Sequence, residues 1–260
     1  MNKPIGIFDS GVGGLTVAKA ILKLLPNESF LYFADTKNLP YGERSPEEIE
    51  KLALRIVSFL VYQGIKLLAI ACNYSSAVIF DKVKKLYPFL PVVGVLQAGA
   101  SLAASFPAES IGVLATRGTV KTRMYPREIR KMDSKKKVFQ ASAPQLVNLI
   151  ESFAGEEEII YAVRNPLKRL RNKKVEAIIL GCTHYPIVID IIRKEFVEGE
   201  ILDPAEEMAR EIKEILERKK LVSDGSPKHR FYVSGSDASL RRFIPPLLGD
   251  DIIEIENIKL

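Results

Sequence analysis

Short apolar runs alternate along the chain with longer stretches in which apolar residues recur every three or four positions. Ile5–Phe8, Phe30–Ala34, Leu67–Ala71, Pro91–Val95, Ile111–Ala115 and Ala177–Leu180 read as strands. Strands separated by helical segments build βαβ units around a mainly parallel sheet, so the pattern predicts an α/β fold. From Pro46 to Tyr62, Ile49, Leu52, Leu54, Ile56, Val57 and Leu60 fall at mostly helical spacing, and Ser45 with Glu48 has the form of a capping box. Met208, Ile212, Ile215 and Leu216 mark a further amphipathic helix. Phe231–Gly235 reads as a strand, Ser239–Leu248 as a helix, and Ile252–Ile258 as an edge strand.

The chain also echoes itself. Ile5-Gly6-Ile7-Phe8 followed by Asp9-Ser10-Gly11 is matched by Ile111-Gly112-Val113-Leu114 followed by Ala115-Thr116-Arg117-Gly118. Farther along, the run ending in Ala71-Cys72-Asn73 is matched, at a similar offset, by the one ending in Gly181-Cys182-Thr183. Two related lobes, each with its own sheet and helices, account for both echoes.

With 260 residues, 47% of them hydrophobic and 27% charged, the chain has ample material for a packed core. Its apolar runs fall short of the roughly 20 residues that cross a bilayer, and the start MNKPIGIF lacks the pattern of a signal peptide. A cytoplasmic location is therefore expected. The net charge of +6 is spread among 32 acidic residues, which reads as a solubilising surface rather than a nucleic-acid footprint. Arg164–Lys174 is rich in Lys and Arg but has no aromatic interleaving, and it reads as a solvated helix face.

The two cysteines form no CxxC pair and no zinc-ligand cluster, so both are expected as free thiols in a reducing compartment. Each stands where an apolar run gives way to polar residues, and in open α/β sheets ligands bind beyond the carboxyl ends of the strands. Asn73, Tyr74, Ser75 and Ser76 suit a helix cap after Cys72, while Thr183, His184 and Tyr185 lead to Pro186 after Cys182. A helix N-terminus binds carboxylates and lowers a thiol pKa from about 8.5, which is the expectation for these sites. Two thiols across a cleft can form a disulfide, hold a metal, or act as acid and base on opposite faces of one carbon. A metal is disfavoured because two thiols and one histidine leave the usual zinc set incomplete. The glycine-rich loop Asp9–Thr16 permits close backbone approach to an anion, but it matches neither a Walker lysine pattern nor GxGxxG. Asp9 suits an ammonium or proton-transfer partner.

Taken together, DSGVGGLTV from Asp9, PYGERS from Pro40, ACN ending at Asn73, LGCTHYP from Leu180 and YVSGSD from Tyr232 closely resemble the glutamate racemases of the aspartate/glutamate racemase family. The resemblance implies two pseudo-symmetric α/β lobes, 1–93 with 205–260 and 94–204, enclosing a small-molecule substrate. It also implies no pyridoxal phosphate, other cofactor or metal, a homodimer, and D-glutamate made for peptidoglycan. By the same resemblance Cys72 acts on the D-enantiomer and Cys182 on the L-enantiomer, with Asp9 and His184 assisting. Ser10, Tyr41, Gly42, Asn73, Thr183, Thr116 and Thr119 match substrate-contact positions. Glu151 matches a further carboxylate near the second thiol, although a solvated helix-face glutamate reads equally well there. Tyr74 stands where the family usually carries a small hydroxyl that helps hold the substrate. It would block the pocket, reposition its hydroxyl, or turn away while Ser75 substitutes. A second departure is Leu96-Gln97-Ala98-Gly99, where Ile-Glu-Pro-Gly is more typical. The alternatives are a racemase for aspartate or another amino acid, and a non-catalytic binding or regulatory protein, for example of DNA gyrase, on the same scaffold.

Overall fold

The structure, a computed structural model, describes residues 3–249 and 254–260. Its first sheet contains β1 (Ile5–Asp9), β2 (Phe30–Ala34), β3 (Leu67–Ile70), β4 (Val92–Gly94), β9 (His229–Val233) and β10 (Ile255–Asn257). The second contains β5 (Ser110–Ala115), β6 (Lys137–Ser142), β7 (Ala177–Gly181) and β8 (Glu200–Leu202). Every pairing is parallel, in the orders β10-β9-β2-β1-β3-β4 and β6-β5-β7-β8. The run β2-β1-β3-β4 thus has the same order as the whole second sheet, β6-β5-β7-β8. That equivalence is the structural form of the sequence echo, with β1 matching β5 and β3 matching β7.

The strands β1, β2, β3, β5 and β7 are buried throughout, which is why they are nearly unbroken apolar runs: helices cover both faces of a parallel sheet. Two strands were not singled out from sequence. β6 is only partly buried and β8 has three residues, so edge positions leave both without a continuous apolar signal. Val95, read as strand, begins a helix instead, because the sheet ends at Gly94. Ile252 and Ile253 of the C-terminal run lie outside the described residues, and β10 pairs with β9 at the sheet edge.

Helix α2 (Pro46–Tyr62) starts where expected. Glu48 N–H donates to Ser45 Oγ at 3.2 Å, and Ser45 N–H donates to Glu48 Oε2 at 2.9 Å. Ile49, Ile56, Val57 and Leu60 are buried, with Ala53, while Leu52 and Leu54 are half-buried. The other helices are α1 (Leu15–Leu24), α3 (Asn73–Leu86), α4 (Val95–Ser105), α5 (Arg117–Thr122), α6 (Met124–Met132), α7 (Leu146–Glu151), α8 (Glu156–Arg171), α9 (Ile189–Glu195), α10 (Pro204–Arg218) and α11 (Ala238–Leu248). Helix α10 buries Met208, Ile212 and Leu216 and packs against α1 of one lobe and α4 of the other, so it joins the two cores.

At the amino end of β3, far from the strand ends that carry the thiols, Lys66 forms a buried ion pair with Glu28 at 2.5 Å. Ser223 closes the cluster: its N–H and hydroxyl donate to Glu28 at 2.8 and 2.9 Å, and Lys66 Nζ donates to Ser223 Oγ at 2.8 Å. The cluster ties the segment after α10 to the base of the first sheet. No helix among the described residues is long and apolar enough to cross a membrane.

Candidate active site

In each sheet the strand order reverses between the first and third strands of the repeat, and the crevice at such a reversal is where α/β proteins take up ligands. Asp9 ends β1 and Cys72 follows β3; Thr116 follows β5 and Cys182 follows β7. The two crevices meet in one narrow, largely closed cleft. Both cysteines line it, each 6% exposed and each a free thiol. Ser10, Tyr41, Gly42, Asn73 and Tyr74 line it from the first lobe, and Thr116, Thr119, Thr183 and His184 from the second.

Cys72 is itself the N-cap of α3, where Asn73 to Ser76 were expected to cap. Its Sγ accepts from Ser75 N–H at 3.5 Å, and Asn73 is already helical. The expected lowering of its pKa does not occur. Burial, reinforced by the neighbouring Asp9 carboxylate, pushes the thiol from 9.0 up to about 12, and the contact to Ser75 offsets only part of this. After Cys182 the chain makes a short 3-10 turn, Tyr185–Val188, with Pro186 in its first turn.

His184 stands behind Cys182, with Nδ1 3.9 Å from Sγ and Nε2 2.9 Å from Glu151 Oε1. Burial alone would lower the imidazole pKa, but the hydrogen bonds to Cys182 and Glu151 outweigh it and hold the ring well above the ordinary histidine value. In the protonated ring both nitrogens donate, one toward the sulfur and one to the carboxylate. Burial pulls the Glu151 carboxyl upward, yet its bond to His184 and the Val12 N–H donor at 3.2 Å bring it below the usual range. Its side chain is 13% exposed, so the solvated-face reading of Glu151 is set aside. On the other side Asp9 is fully buried. It accepts from Gly11 N–H at 2.8 Å and from Thr183 Oγ1 at 3.0 Å, while desolvation raises its pKa. Neither Asp9 nor Glu151 is on the cleft wall; each lies one layer behind it.

The glycine loop is shaped by the opposite lobe. A Cβ on Gly13 would lie 2.5 Å from His184 Nδ1 and 2.8 Å from the His184 backbone nitrogen. The space read from sequence as an anion cradle is filled by His184 and Thr183, and Thr16 Oγ1 donates to Thr183 O at 3.2 Å across the same contact.

Tyr74 directs its hydroxyl to the Arg44 carbonyl at 2.9 Å while its ring stays on the cleft wall. Ser75 is buried off that wall and does not replace it. Four further residues of the site were not read from sequence. Tyr125 of α6 donates to Asn73 Oδ1 at 2.7 Å, leaving Asn73 Nδ2 buried and unpaired. Asp35 accepts from the Tyr41 hydroxyl at 2.5 Å. Pro144 and Val147 line the cleft beside β6. Tyr125 lies in an ordinary amphipathic stretch and carried no local signal, whereas the position of Pro144 just past a strand end was readable once β6 was recognised.

Two thiols on equivalent strands of related lobes, each backed by a titratable partner, suit a reaction that removes a proton from one face of a carbon and returns one to the other. Fold and site together define a two-base isomerase. Residues 5–212 match the family described as Asp/Glu/Hydantoin racemase, and the chain belongs to that family. It is 39% identical over 258 residues to glutamate racemase 2 of Caldanaerobacter subterraneus subsp. tengcongensis, covering 98% of this chain and 96% of the relative. Among solved structures it is similar to the glutamate racemase isoform RacE1 of Bacillus anthracis, with a TM-score of 0.94, 35% identity and coverage of 99% and 98% of the two chains. The glutamate racemase of Francisella tularensis subsp. tularensis SCHU S4, solved with D-glutamate, superposes with a TM-score of 0.93 at 33% identity, covering 99% and 98%.

Proposed function

We infer that this protein interconverts L- and D-glutamate by direct proton transfer, with Cys182 and Cys72 as the opposed acid and base. The observation that carries the reading is the pair of buried thiols on one cleft, supported by relatives and solved neighbours that are glutamate racemases along nearly their whole length.

The unequal settings of the thiols support a direction for each half-reaction. Burial favours the thiol form of Cys72, while His184, its pKa raised by its hydrogen bonds, stands 3.9 Å behind Cys182, where it can balance negative charge on that sulfur. That state suits L-glutamate: Cys182 takes the α-proton, and Cys72 delivers its own proton to the opposite face. The products are D-glutamate, a Cys182 thiol and a Cys72 thiolate, which is the state that runs the reaction backwards. A substrate ammonium in the cleft would offset the Asp9 charge that adds to burial in holding Cys72 protonated. Ser10, Asn73 with its free amide N–H, Thr116, Thr119 and Thr183 supply donors for the two carboxylates, and Tyr41 and Gly42 form the roof. The division into 1–93 with 205–260 and 94–204 is the rigid-body division we propose for opening the cleft, with crossings near Gly94 and Pro204. Closure excludes water from the reacting carbon. The free thiols fit the cytoplasm, where D-glutamate is used for peptidoglycan.

The test is incubation with L-glutamate in D₂O without added cofactor, following loss of the α-proton signal by NMR and the decay of optical rotation. Both are expected, and Cys72→Ser and Cys182→Ser should each abolish racemization. A folded protein that neither exchanges the α-proton nor changes the rotation overturns the assignment.

A further inference from the structure

We propose that Tyr74 is a positioning residue that latches the two lobes together over the bound amino acid. The proposal rests on the racemase reading for its kinetic consequences, but its geometry does not depend on it.

Tyr74 is the second residue of α3, two positions after Cys72, and is 4% exposed. Its hydroxyl donates to the carbonyl of Arg44, the residue that closes the 3-10 turn Tyr41–Glu43. Arg44 is itself fixed, its N–H donating to Tyr41 O at 3.0 Å and its Nε to Asn38 O at 2.7 Å. The phenol therefore grips a rigid turn that carries Tyr41 and Gly42 on the cleft wall.

The ring's other contact is with the opposite lobe. It lies against Gly118, the second residue of α5, so closely that a Cβ there would sit 2.5 Å from the ring edge. Thr116, which caps α5, and Thr119 within it both face the cleft. One side chain thus bridges two loops that belong to different lobes and both line the site. Besides the buried Tyr125–Asn73 hydrogen bond between the lobes, two other contacts cross the same seam. Gly42 abuts Thr116, and Glu43 pairs with Arg117 at 3.1 Å, but both partners of that ion pair are about half exposed and screened by water. Tyr74 is the buried contact of the three. A small hydroxyl side chain at this position cannot reach Arg44 and Gly118 together.

Opening the cleft requires the ring to leave Gly118. Removing the ring lowers the population of the closed, binding-competent state, and apparent affinity falls by the same fraction. Both enantiomers bind in the same cleft, so both are affected alike.

The experiment compares Tyr74→Ala, Tyr74→Phe and Gly118→Ala with the unmodified protein. Steady-state kinetics are measured with each enantiomer, and hydrogen exchange is followed at the amides of residues 41–44 and 117–120. Tyr74→Ala and Gly118→Ala should raise KM for both enantiomers by about tenfold or more, with kcat unchanged or increased because release is faster. Tyr74→Phe keeps the ring on Gly118 but loses the bond to Arg44, so its KM should fall between that of Tyr74→Ala and that of the unmodified protein. Exchange should quicken in both segments in Tyr74→Ala. A fall in kcat with KM unchanged would place Tyr74 in the chemistry instead and overturn the latch, as would exchange that stays the same in both segments. Should the unmodified protein fail to racemize glutamate, the exchange measurement still decides the latch, so the two failures are distinguishable.

Discussion

Replacing Glu151 by glutamine removes one charge and leaves the shape of the site nearly intact. A glutamine oxygen still accepts from Val12 N–H and from His184, so the change isolates the electrostatic part of the carboxylate's effect. A hydrogen bond to a charged group contributes about 1.5–3 kcal/mol and a neutral one about 0.5–1.5, a difference of about 1.5 kcal/mol here. The Glu151 side chain is 13% exposed, so solvent screening takes little from that difference. Since about 1.4 kcal/mol is a factor of ten in rate, Glu151→Gln should lower kcat/KM about tenfold. The two enantiomers have equal free energy in water, so kcat/KM must fall by the same factor in both directions and cannot show which thiol was affected. Kinetic isotope effects can. With the Cys182 step slowed, the effect of α-deuteration should grow for L-glutamate, whose proton Cys182 removes, and shrink for D-glutamate. The pH profile should change as well. His184 is held above its ordinary value partly by Glu151, so in the variant the ring loses its proton at lower pH and the alkaline limb of activity moves down. The assay is circular dichroism on protiated and α-deuterated enantiomers across pH. An unchanged kcat/KM, or isotope effects that shift in the opposite sense, would refute the assignment of Glu151 and His184 to the Cys182 half-reaction.

Two further outcomes follow from buried groups. Lys66→Met leaves Glu28 without its cation inside the protein and should cost about 3–5 kcal/mol in urea unfolding, while kcat/KM of the folded protein stays unchanged because the cluster lies at the amino end of β3; a loss below 1 kcal/mol would count against the pairing. The Cys72 thiol, pushed by burial up to about 12, should resist iodoacetamide near neutral pH in the free enzyme. Because the unfolded chain gives up this proton first, stability should fall as pH rises toward that value, and thiolate absorbance in Cys182→Ser appearing already near pH 9 would contradict it.

Whatever depends on neighbours along the chain was legible in the sequence. The strands buried on both faces had to be continuous apolar runs, so β1, β2, β3, β5 and β7 were legible, as was the start of α2, whose capping box closes within four residues. The echo between the two cysteine runs was legible because a repeated βα unit needs the same small-residue turn each time. The rest depends on partners that lie far away in sequence and meet only in the folded chain. Glu151 sits in an unremarkable amphipathic turn and gains its setting only from Val12 and His184. The glycines of the first loop looked suited to an anion, yet Gly13 makes room for a histidine from the other lobe. Tyr74 left three readings open, and the carbonyl of Arg44 selected the direction of its hydroxyl. For Cys72 the local rule pointed the wrong way: a helix N-terminus favours a thiolate, but burial beside Asp9 is the larger effect, and burial is a property of the packed lobes rather than of the residues next to it.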